Sequence, residues 1–433
     1  MNLPTFTPNT MACHQQHSMT HCLIHQTMGM LAPYTLQRSI STYFMQGLEL
    51  SRHKEVQTVH TAAVNDVDVD LSENRYLLSG ASDGTIAIHD LEELIKYDHN
   101  NRMLDTRVFK LVHSVSPGTT DAHTRSVETV LWYALDTGIF TSSGTDRCLK
   151  VWDTNTLKVV EEYSFSTIIH SHHMSSVSTS HNLIAAGTDS PFVRLVDTRI
   201  GCFTGILKGH KEGGVRAVCW SPKDEFLLAT GGIDNFAMLW DVRSAKGCLK
   251  KLQDKGKKKS GYKRDTTHDG SVNGLKFTAD GYYLATIGTD QRFFMWDINT
   301  GKKLTSHYPP LSHIKKRSVK FCLTKSGRDN FAYIPTGASI TTFNISSDSR
   351  EKHLYGHYNS VNCCFYHECG NQLITGGNDR KILVWTRKGD KEYEDFMCDR
   401  RVELIKKNAT EEIVTMPESL AQTLDTWSDD EQD

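Results

Sequence analysis

The segment CLKVWD (148–153) is an apolar strand that ends in tryptophan and aspartate, and variants of it recur along the chain. The same ending closes AMLWD (237–241) and RFFMWD (292–297). KILVWT (381–386) keeps only the tryptophan, and TIAIHD (85–90) has a histidine in its place. Recurrence of one short strand pattern indicates an internal repeat, in which each copy is one supersecondary unit.

Two further residues precede each copy at regular distances. An aspartate stands six residues before the tryptophan, or before His89 in the first copy, and a histidine stands 22 to 24 residues before that aspartate. In chain order, the three positions are His60, Asp83 and His89; His123, Asp146 and Trp152; His210, Asp234 and Trp240; His268, Asp290 and Trp296; and His357, Asp379 and Trp385. A three-point spacing repeated five times predicts that these side chains have a shared structural role.

This three-point spacing resembles that of the WD-repeat family. The resemblance implies short antiparallel strands, four to a blade, with the blades packed radially. It also implies that the histidine, the turn aspartate, a serine or threonine and the tryptophan of each copy form a buried hydrogen-bonded network. Such a network would fix the turn after the second strand, because a buried polar group without a partner costs about 1–3 kcal/mol.

Two weaker copies fill the gaps between the five clear ones. The segment 180–197 contains Asp189 but lacks the tryptophan, and the segment 316–344 shows strand alternation with neither motif. With both included, the sequence predicts an all-β, seven-bladed propeller over residues 51–386, with EVQTVH (55–60) as the outer strand that completes the last blade. A six-bladed ring with the copy at 316–344 as an insertion is the alternative.

Three segments lie outside the predicted ring. Residues 1–30 show no periodicity and are expected to be disordered, as is the polar and then acidic tail over 387–433. Residues 31–50 instead predict a helical segment, because four apolar residues fall on one helical face. They are Leu36, Ile40, Tyr43 and Phe44. That face packs either under the protein's own ring or in the groove of a partner.

Composition excludes several classes of protein. The 433 residues carry a formal net charge of −2, so the chain lacks the basic excess of a protein that coats nucleic acid. The one dense basic segment, 250–264, is interpreted first as a solvated insertion, with a nucleic-acid patch or nuclear import signal as the alternative. We expect no sequence-specific DNA binding. No apolar run approaches membrane-spanning length, and the 11 scattered cysteines favour free thiols in a reducing compartment.

Motifs for catalysis or metal binding are weak. GASDG (80–84) fits the nucleophile elbow of hydrolases, but Ser82 falls in the turn of a repeat and a strand follows it. The histidines of HSHH (170–173) lack nearby thiolates or helical spacing and predict a surface turn rather than a metal site. The sequence therefore predicts a non-enzymatic protein with no cofactor and no metal.

Two repeats end in a motif that points to a class of partner. Arg243 stands two residues after the aspartate in LWDVR (239–243), and Arg199 has the same place in LVDTR (195–199). The WDxR ending is similar to that of the propellers that serve as substrate receptors of cullin-4 ubiquitin ligases, where it marks docking to the damaged-DNA-binding protein 1 adaptor. The alternative is a rim arginine paired within its own blade.

Three longer strings are similar to the Cockayne syndrome group A family of these receptors: residues 125–157, SHHMSSVST (171–179) and LDTWSDDE (424–431). The resemblance implies a nuclear, non-catalytic substrate receptor acting in transcription-coupled nucleotide excision repair, together with the Cockayne syndrome group B protein at stalled RNA polymerase II. It also implies that a helical segment before the propeller binds the adaptor.

The predicted adaptor-binding residues are Leu36, Ile40, Phe44, Arg199 and Arg243. The opposite face, with loops at 250–264 and 104–122, is expected to hold the substrate. A generic WD-repeat scaffold in a chromatin or ribosome-assembly complex, without ligase activity, is the alternative function.

Overall fold

A computed structural model describes residues 28–29, 45–51, 53–96, 107–244, 247–253, 266–304, 308–314, 317–324, 330–345 and 349–387. Residues Met1–Thr386 belong to one compact unit, and Arg387–Asp433 belong to a second. The described part of the chain contains 28 β-strands. Within it, no helix has the length and apolar character needed to cross a membrane.

The strands form seven sheets, each of which is one blade, and we number the blades in chain order. Blade 1 contains β2 (Lys54–Val56), β3 (Val64–Val69), β4 (Tyr76–Ala81), β5 (Ile86–Lys96) and β6 (Arg107–Val115). Blade 2 contains β7 (Val127–Trp132), β8 (Ile139–Gly144), β9 (Cys148–Asp153) and β10 (Lys158–Ser164). Blade 3 contains β11 (Ile169–Met174), β12 (Leu183–Thr188), β13 (Phe192–Asp197) and β14 (Cys202–Lys208).

The later blades follow the same plan. Blade 4 contains β15 (Val215–Trp220), β16 (Leu227–Gly232), β17 (Ala237–Asp241) and β18 (Cys248–Leu252). Blade 5 contains β19 (Val272–Phe277), β20 (Tyr283–Gly288) and β21 (Phe293–Asp297). Blade 6 contains β22 (Cys322–Leu323), β23 (Phe331–Thr336), β24 (Ser339–Asn344) and β25 (Ser349–Tyr355). Blade 7 contains β26 (Val361–His367), β27 (Gln372–Gly377), β28 (Ile382–Arg387) and β1 (Leu48–Leu50).

The seven-bladed prediction is confirmed, and the copy at 316–344 is a blade rather than an insertion. Its tight hairpin pairs Thr336 with Ser339. Phe343 is fully buried and occupies the third-strand position that Trp385 has in blade 7. A buried aromatic ring at this position replaces the tryptophan, so the blade forms without the motif. Burial of apolar area at about 25 cal/mol per Å² stabilises both kinds of blade.

The two faces of the ring follow from strand direction. The first strands of neighbouring blades contact each other around the axis, and the following strands run outward in antiparallel order. Turns between the first and second and between the third and fourth strands therefore lie on one face, which we call the lower face. Turns between the second and third strands, and the connections to the next blade, lie on the opposite, upper face.

Ring closure differs from the prediction. The outer strand of blade 7 is β1, not the segment 55–60, and the amide of Ser51 donates to Val384 O at 2.9 Å. Lys54–Val56 instead pairs in parallel with β6 and covers the outer edge of blade 1. Because Leu48 is fully buried, the propeller begins inside the segment 31–50 that was predicted to be helical.

Two further expectations about loops are wrong. Residues 170–173 are not a surface turn, because they belong to β11, the first strand of blade 3. Much of the loop predicted over 104–122 is also regular, since Arg107–Val115 forms β6. Residues 254–265, which include most of the lysine-rich segment, lie outside the described residues, as do the predicted disordered segments apart from residues 28–29 and 387.

Candidate functional site

In blade 2 the predicted histidine, aspartate and tryptophan meet around one hydroxyl group. His123 Nδ1 lies 2.7 Å from the Asp146 carboxylate, and His123 Nε2 lies 2.6 Å from Ser142 Oγ. The indole of Trp152 donates to the same Ser142 Oγ at 2.7 Å. The network links the upper-face turn to the middle of the second and third strands, and its four polar groups satisfy one another.

Blades 4, 5 and 7 repeat this geometry with threonine as the hydroxyl residue. The histidine lies 2.8 to 2.9 Å from the aspartate and 2.8 to 2.9 Å from the threonine, to which the tryptophan donates at 2.8 to 3.0 Å. The residues are His210, Asp234, Thr230 and Trp240; His268, Asp290, Thr286 and Trp296; and His357, Asp379, Thr375 and Trp385.

Glycine is required beside the network in blade 4. A Cβ at Gly232 would lie 2.5 Å from Nδ1 of His210 and 2.6 Å from Oδ1 of Asp234, closer than real atoms approach. Burial opposes ionisation of Asp234, but the hydrogen bond and charge of His210, with the amides of Lys211 and Phe236, hold its pKa below the usual value. The turn carboxylate is therefore a charged, satisfied group.

Blade 1 has a modified network. His60 bonds through Nδ1 to Thr85 Oγ1 at 2.5 Å rather than to the carboxylate, and Thr85 in turn donates to Asp83 at 2.5 Å. Burial lowers the pKa of His60 to about 4, so this ring is neutral. His89 stands in the place of tryptophan and lies 2.9 Å from the carbonyl of Gln57. An inserted hydroxyl group separates the histidine from its aspartate.

Blade 3 has no such network, and Asp189 does not occupy the turn position predicted for it. The hairpin register pairs Gly187 with Val193, which places Ser190 where the turn aspartate of other blades stands. Asp189 lies one residue earlier and contacts the ring of His170 at 3.1 Å, with Arg216 at 3.8 Å. Its contacts are with the first strands around the axis rather than with a tryptophan.

The predicted rim arginines both lie in lower-face turns and contact their own blades. Arg243 donates to both carboxylate oxygens of Asp241 at 3.0 and 2.8 Å, and its guanidinium stacks 4.2 Å from the Phe226 ring. Arg199 donates to the carbonyls of Ser180 and Thr179 at 2.8 and 3.4 Å. Arg243 nevertheless remains 59% exposed, so one face of its guanidinium is open to a partner.

The two arginines belong to one continuous surface across blades 3 and 4, which we call the rim patch. The Glu225 carboxylate of blade 4 accepts the amides of Thr179 and Ser180 at 2.9 and 3.2 Å, and these residues hold Arg199 through their carbonyls. The next residue along, Phe226, is the one on which Arg243 stacks. The two amides also hold the pKa of Glu225 below its usual value.

A second polar site lies at the upper mouth of the axial channel, between blades 6, 7, 1 and 2. It is a pocket of about 370 Å³. Its lining residues are Asn65, Glu128, Arg317, Ser318, Lys320, Asn362 and Asn378. Sequence reasoning missed this site, because its residues come from four separated repeats and each is unremarkable alone.

Comparison with known proteins identifies the repeat. A family model described as "WD domain, G-beta repeat" matches residues 53–90, 114–153, 201–241, 261–297 and 348–386. The WD repeat-containing protein ATCSA-1 of Arabidopsis thaliana is 32% identical over 413 residues, which cover 80% of this chain and 90% of that protein. The chain belongs to the WD-repeat family. This family is a scaffold fold that is typically non-catalytic, and the match is to no enzyme family.

Other WD-repeat relatives match over shorter lengths. The ribosome biogenesis protein WDR12 homolog of Trichoplax adhaerens is 32% identical over 195 residues, or 42% of this chain and 44% of that protein. The guanine nucleotide-binding protein subunit beta of Arabidopsis thaliana is 25% identical over 48% of this chain and 54% of that protein. This WD-repeat protein therefore spans only about half the length of those two relatives.

The family match skips the same two WD repeats that the sequence shows weakly, those of blades 3 and 6.

The histidines of HSHH in blade 3 form hydrogen bonds within the protein. His172 lies 2.9 Å from Thr141 Oγ1 and 2.7 Å from Ser143 Oγ, and His173 Nδ1 accepts the amide of Trp220 at 3.1 Å. Among the described residues, no group of three His, Cys, Asp or Glu side chains could hold a metal.

The predicted helical residues Leu36, Ile40, Tyr43 and Phe44 lie outside the described residues, but the point where their segment meets the propeller is described. Met45 is buried, and its carbonyl accepts from Tyr333 OH at 3.4 Å. The Tyr333 ring stacks on Tyr366, near the lower end of β26. At the other end of β1, a Cβ at Gly356 in the upper-face connection would lie 3.3 Å from Leu50. The chain therefore enters the ring from the lower face.

Proposed function

We propose that this WD-repeat protein is the non-catalytic substrate-recognition subunit of a cullin-4 RING ubiquitin ligase. It would act in the nucleus in transcription-coupled nucleotide excision repair. The partners would be the damaged-DNA-binding protein 1 adaptor and cullin-4 on one side, and the Cockayne syndrome group B protein with stalled RNA polymerase II on the other. Three sequence strings of the Cockayne syndrome group A family support it, as does the similarity to ATCSA-1 over most of both chains.

The observation that carries the proposal is that the rim patch and the point where the predicted helical segment joins the ring both belong to the lower face. The rim patch, with Arg199 and Arg243, lies in lower-face turns. The segment 31–44 joins the ring through Met45, which also lies at the lower face. Because blade 7 lies across the ring from blades 3 and 4, a partner that binds both elements would have to span the lower face, which leaves the upper face for substrate.

Preorganisation also favours the rim patch as a docking surface. Arg243 is held by a bidentate ion pair and an aromatic ring, so little side-chain entropy would be lost on binding. Its exposed side can still pair with a carboxylate or carbonyl group of a partner. The contact within the blade, considered above as an alternative to docking, is thus compatible with it.

A generic WD-repeat scaffold for ribosome assembly is the second candidate. It is favoured by the ribosome biogenesis relatives, among them YTM1 of Saccharomyces cerevisiae at 27% identity. Those matches cover only 42–43% of this chain, whereas ATCSA-1 covers 80%. The longer match favours the ligase receptor.

The test is co-purification of the full chain with the adaptor. Ile40→Asp with Phe44→Asp should abolish adaptor capture while the thermal unfolding midpoint of the propeller is unchanged. Arg243→Ala should weaken capture less, because rim charges seldom carry most of the binding energy. Ile206→Asp, on the exposed outer strand of blade 3, is the matched control and should bind as wild type.

Two outcomes would contradict the proposal. In the first, wild type captures ribosome-assembly or chromatin proteins but no cullin, before and after transcription-blocking DNA damage. In the second, the helix variant unfolds the propeller, which would assign the apolar stripe to the protein's own core.

A further inference from the structure

The floor of the mouth pocket is built from a side chain that crosses the channel. Lys320 of blade 6 donates through Nζ to Thr129 Oγ1 of blade 2 at 2.9 Å and lies 3.5 Å from the Asp66 carboxylate of blade 1. These contacts close the axis below the mouth. The volume above, about 370 Å³, is within the size range of small ligand sites and can take one or two side chains of a peptide.

The pocket walls are held by hydrogen bonds between blades. Asn65 donates to Ser126 Oγ and to Val127 O of blade 2 at 2.9 and 2.7 Å. Asn362 donates to Val64 O of blade 1 at 2.7 Å. These carboxamides are therefore fixed in place, and the pocket is formed before any ligand enters it.

Charges of both signs face the pocket. Arg317 is 72% exposed and lies 4.0 Å from the largely buried Glu128 carboxylate, whose pKa burial raises. Glu128 also accepts Ser126 OH at 3.0 Å. The site thus offers an exposed guanidinium at its rim and a carboxylate deeper inside.

Two exposed arginines in the upper-face turns of blades 2 and 7, which are two of the four blades that line the pocket, have a left-handed backbone conformation. Arg147 and Arg380 occupy the same position, directly after the turn aspartate of blades 2 and 7, with φ of 69° and 68°. The equivalent residues in blades 1, 4 and 5 are Gly84, Asn235 and Gln291, all with positive φ, so this conformation belongs to the turn itself. Glycine and asparagine tolerate it better than arginine does. The left-handed conformation costs about 1–2 kcal/mol for a residue with a Cβ. A glycine or asparagine would lower this cost, so arginine at these two positions brings no gain in backbone stability.

The neighbouring turn carboxylates do not neutralise these arginines. Asp146 is satisfied by His123 and by the amides of Thr124 and Cys148. Asp379 is likewise bound by its own histidine and by two amides. Within the described part of the chain, Arg147 and Arg380 form no ion pair, and both are exposed. Arg125, on the upper-face connection of blade 2, is also exposed.

We propose that the upper mouth binds an acidic segment of a partner protein. Arg125, Arg147, Arg317 and Arg380, which we call the mouth arginines, would pair with its carboxylates, and the pocket would take an uncharged polar side chain between them. The guanidinium fork matches a carboxylate in two-point geometry, and the fixed walls reduce the entropy lost on binding. This site does not depend on the adaptor or on the ligase.

Nucleic acid fits the same surface less well. A phosphate backbone carries a negative charge at every residue, whereas Arg317 is paired with a carboxylate and the pocket wall between the arginines is built mainly from uncharged carboxamides. A peptide can alternate charged and neutral side chains to match this pattern.

The experiment measures binding of a fluorescent peptide of alternating glutamate and serine to the purified full chain at low and physiological salt. Arg147→Asn with Arg380→Asn should raise Kd about three- to thirtyfold, since each exposed pair contributes up to about 1 kcal/mol. Asparagine is the residue that blade 4 has at this position, so the thermal midpoint should stay unchanged or rise.

The matched control is Arg292→Asn in the upper-face turn of blade 5, an exposed arginine paired instead with Asp269 at 3.8 Å. It should bind the peptide as wild type does. The proposal fails if wild type does not bind the peptide or if the double variant binds it equally well. It also fails if a duplex DNA probe binds more tightly than the peptide and loses affinity in the same variant.

Discussion

Blades 3 and 4 are neighbours with the same hairpin length, yet they are stabilised differently. Blade 4 has Gly232, Asp234 and Trp240 where blade 3 has Thr188, Ser190 and Val196. The differences depend on one another. Because blade 3 lacks the histidine that a Cβ would clash with in blade 4, it can hold a threonine, whose hydroxyl lies 2.8 Å from Ser190 Oγ.

The comparison shows that the propeller does not need the polar network in every blade. Val196 and Trp240 are both fully buried, so each blade places an apolar side chain at the same position of its third strand. Apolar packing between blades is the common requirement, and the network adds stability where it is present. This explains why a family match can skip two blades that the ring still contains.

The largest expected effect is at that third-strand position. Trp240→Ala should lower the free energy of unfolding by about 3–5 kcal/mol, because it removes a buried ring and the hydrogen bond from its indole to Thr230 Oγ1. Val196→Ala should cost about 2 kcal/mol, the value for two methyl groups and a small cavity. Urea denaturation of both variants measures the difference, and equal losses would contradict the contrast between the blades.

Lowering the pH should destabilise the protein through two histidines in the first strand of blade 3 that have no counterpart in blade 4. At adjacent first-strand positions, blade 3 has His172 and His173 where blade 4 has Val218 and Cys219. Burial, followed by the charges of Lys276 and Lys320, lowers the pKa of His173 to about 3. The folded state therefore holds this ring neutral, while the unfolded chain binds a proton below about pH 6.5.

The contribution of His173 to folding stability is therefore present above pH 6.5 and is lost as the pH falls towards 3. Stability should decline by up to about 1.4 kcal/mol per pH unit in this window for each such ring. His173→Cys, the blade 4 residue, should be less stable at neutral pH but should show a flatter decline. An unchanged slope between pH 6 and 4 would contradict the assignment.

Loss of the turn carboxylate should have a smaller effect. Asp234→Ala leaves His210 Nδ1 and the amide of Lys211 without their acceptor, and we expect a loss of about 1–3 kcal/mol. Ser190→Ala, at the equivalent turn position of blade 3, should cost less than about 1 kcal/mol, since its hydroxyl bonds only locally. Thermal melting of the two variants measures how much the network contributes to stability. Equal shifts of both melting midpoints would mean that it contributes nothing.

The rim arginines should show the smallest effect on stability. Arg199→Ala in blade 3 and Arg243→Ala in blade 4 should both unfold at the wild-type temperature, because both side chains are exposed. Their difference should appear only in adaptor capture, where Arg243, stacked on Phe226, is the more rigid of the two. A large drop in melting temperature for either variant would make that arginine a structural residue.

The sequence predicted what is periodic and missed what depends on distant neighbours. Strand alternation was enough to place blade 6 without its motifs, since an apolar strand needs only a packing partner. It could not place β1, because three residues carry too little pattern to be assigned to an edge 330 residues away. HSHH was predicted to be a surface turn because the groups that satisfy its histidines come from other blades. These groups are Thr141, Ser143 and the Trp220 amide.

The same limit applies to the candidate sites. The WDxR ending marked Arg243, and the same offset in LVDTR marked Arg199. Only the structure shows that Glu225 joins the two blades through Thr179 and Ser180. No short sequence pattern predicts the mouth pocket. Its residues become neighbours only when the first and last blades are brought together.

Ring closure by β1 also has a consequence for biosynthesis. Leu48–Leu50 leaves the ribosome early, but its hydrogen-bonding partner β28 ends at Arg387. At typical elongation rates of about 5–20 residues per second, the early strand waits roughly 20–70 s for its partner. During that interval Leu48 has no blade to bury it, and its edge can pair with a foreign chain. A ribosome that terminates before residue 382 would therefore release an open ring with two unsatisfied sheet edges, and such a chain is a substrate for chaperones and proteases rather than a shortened propeller.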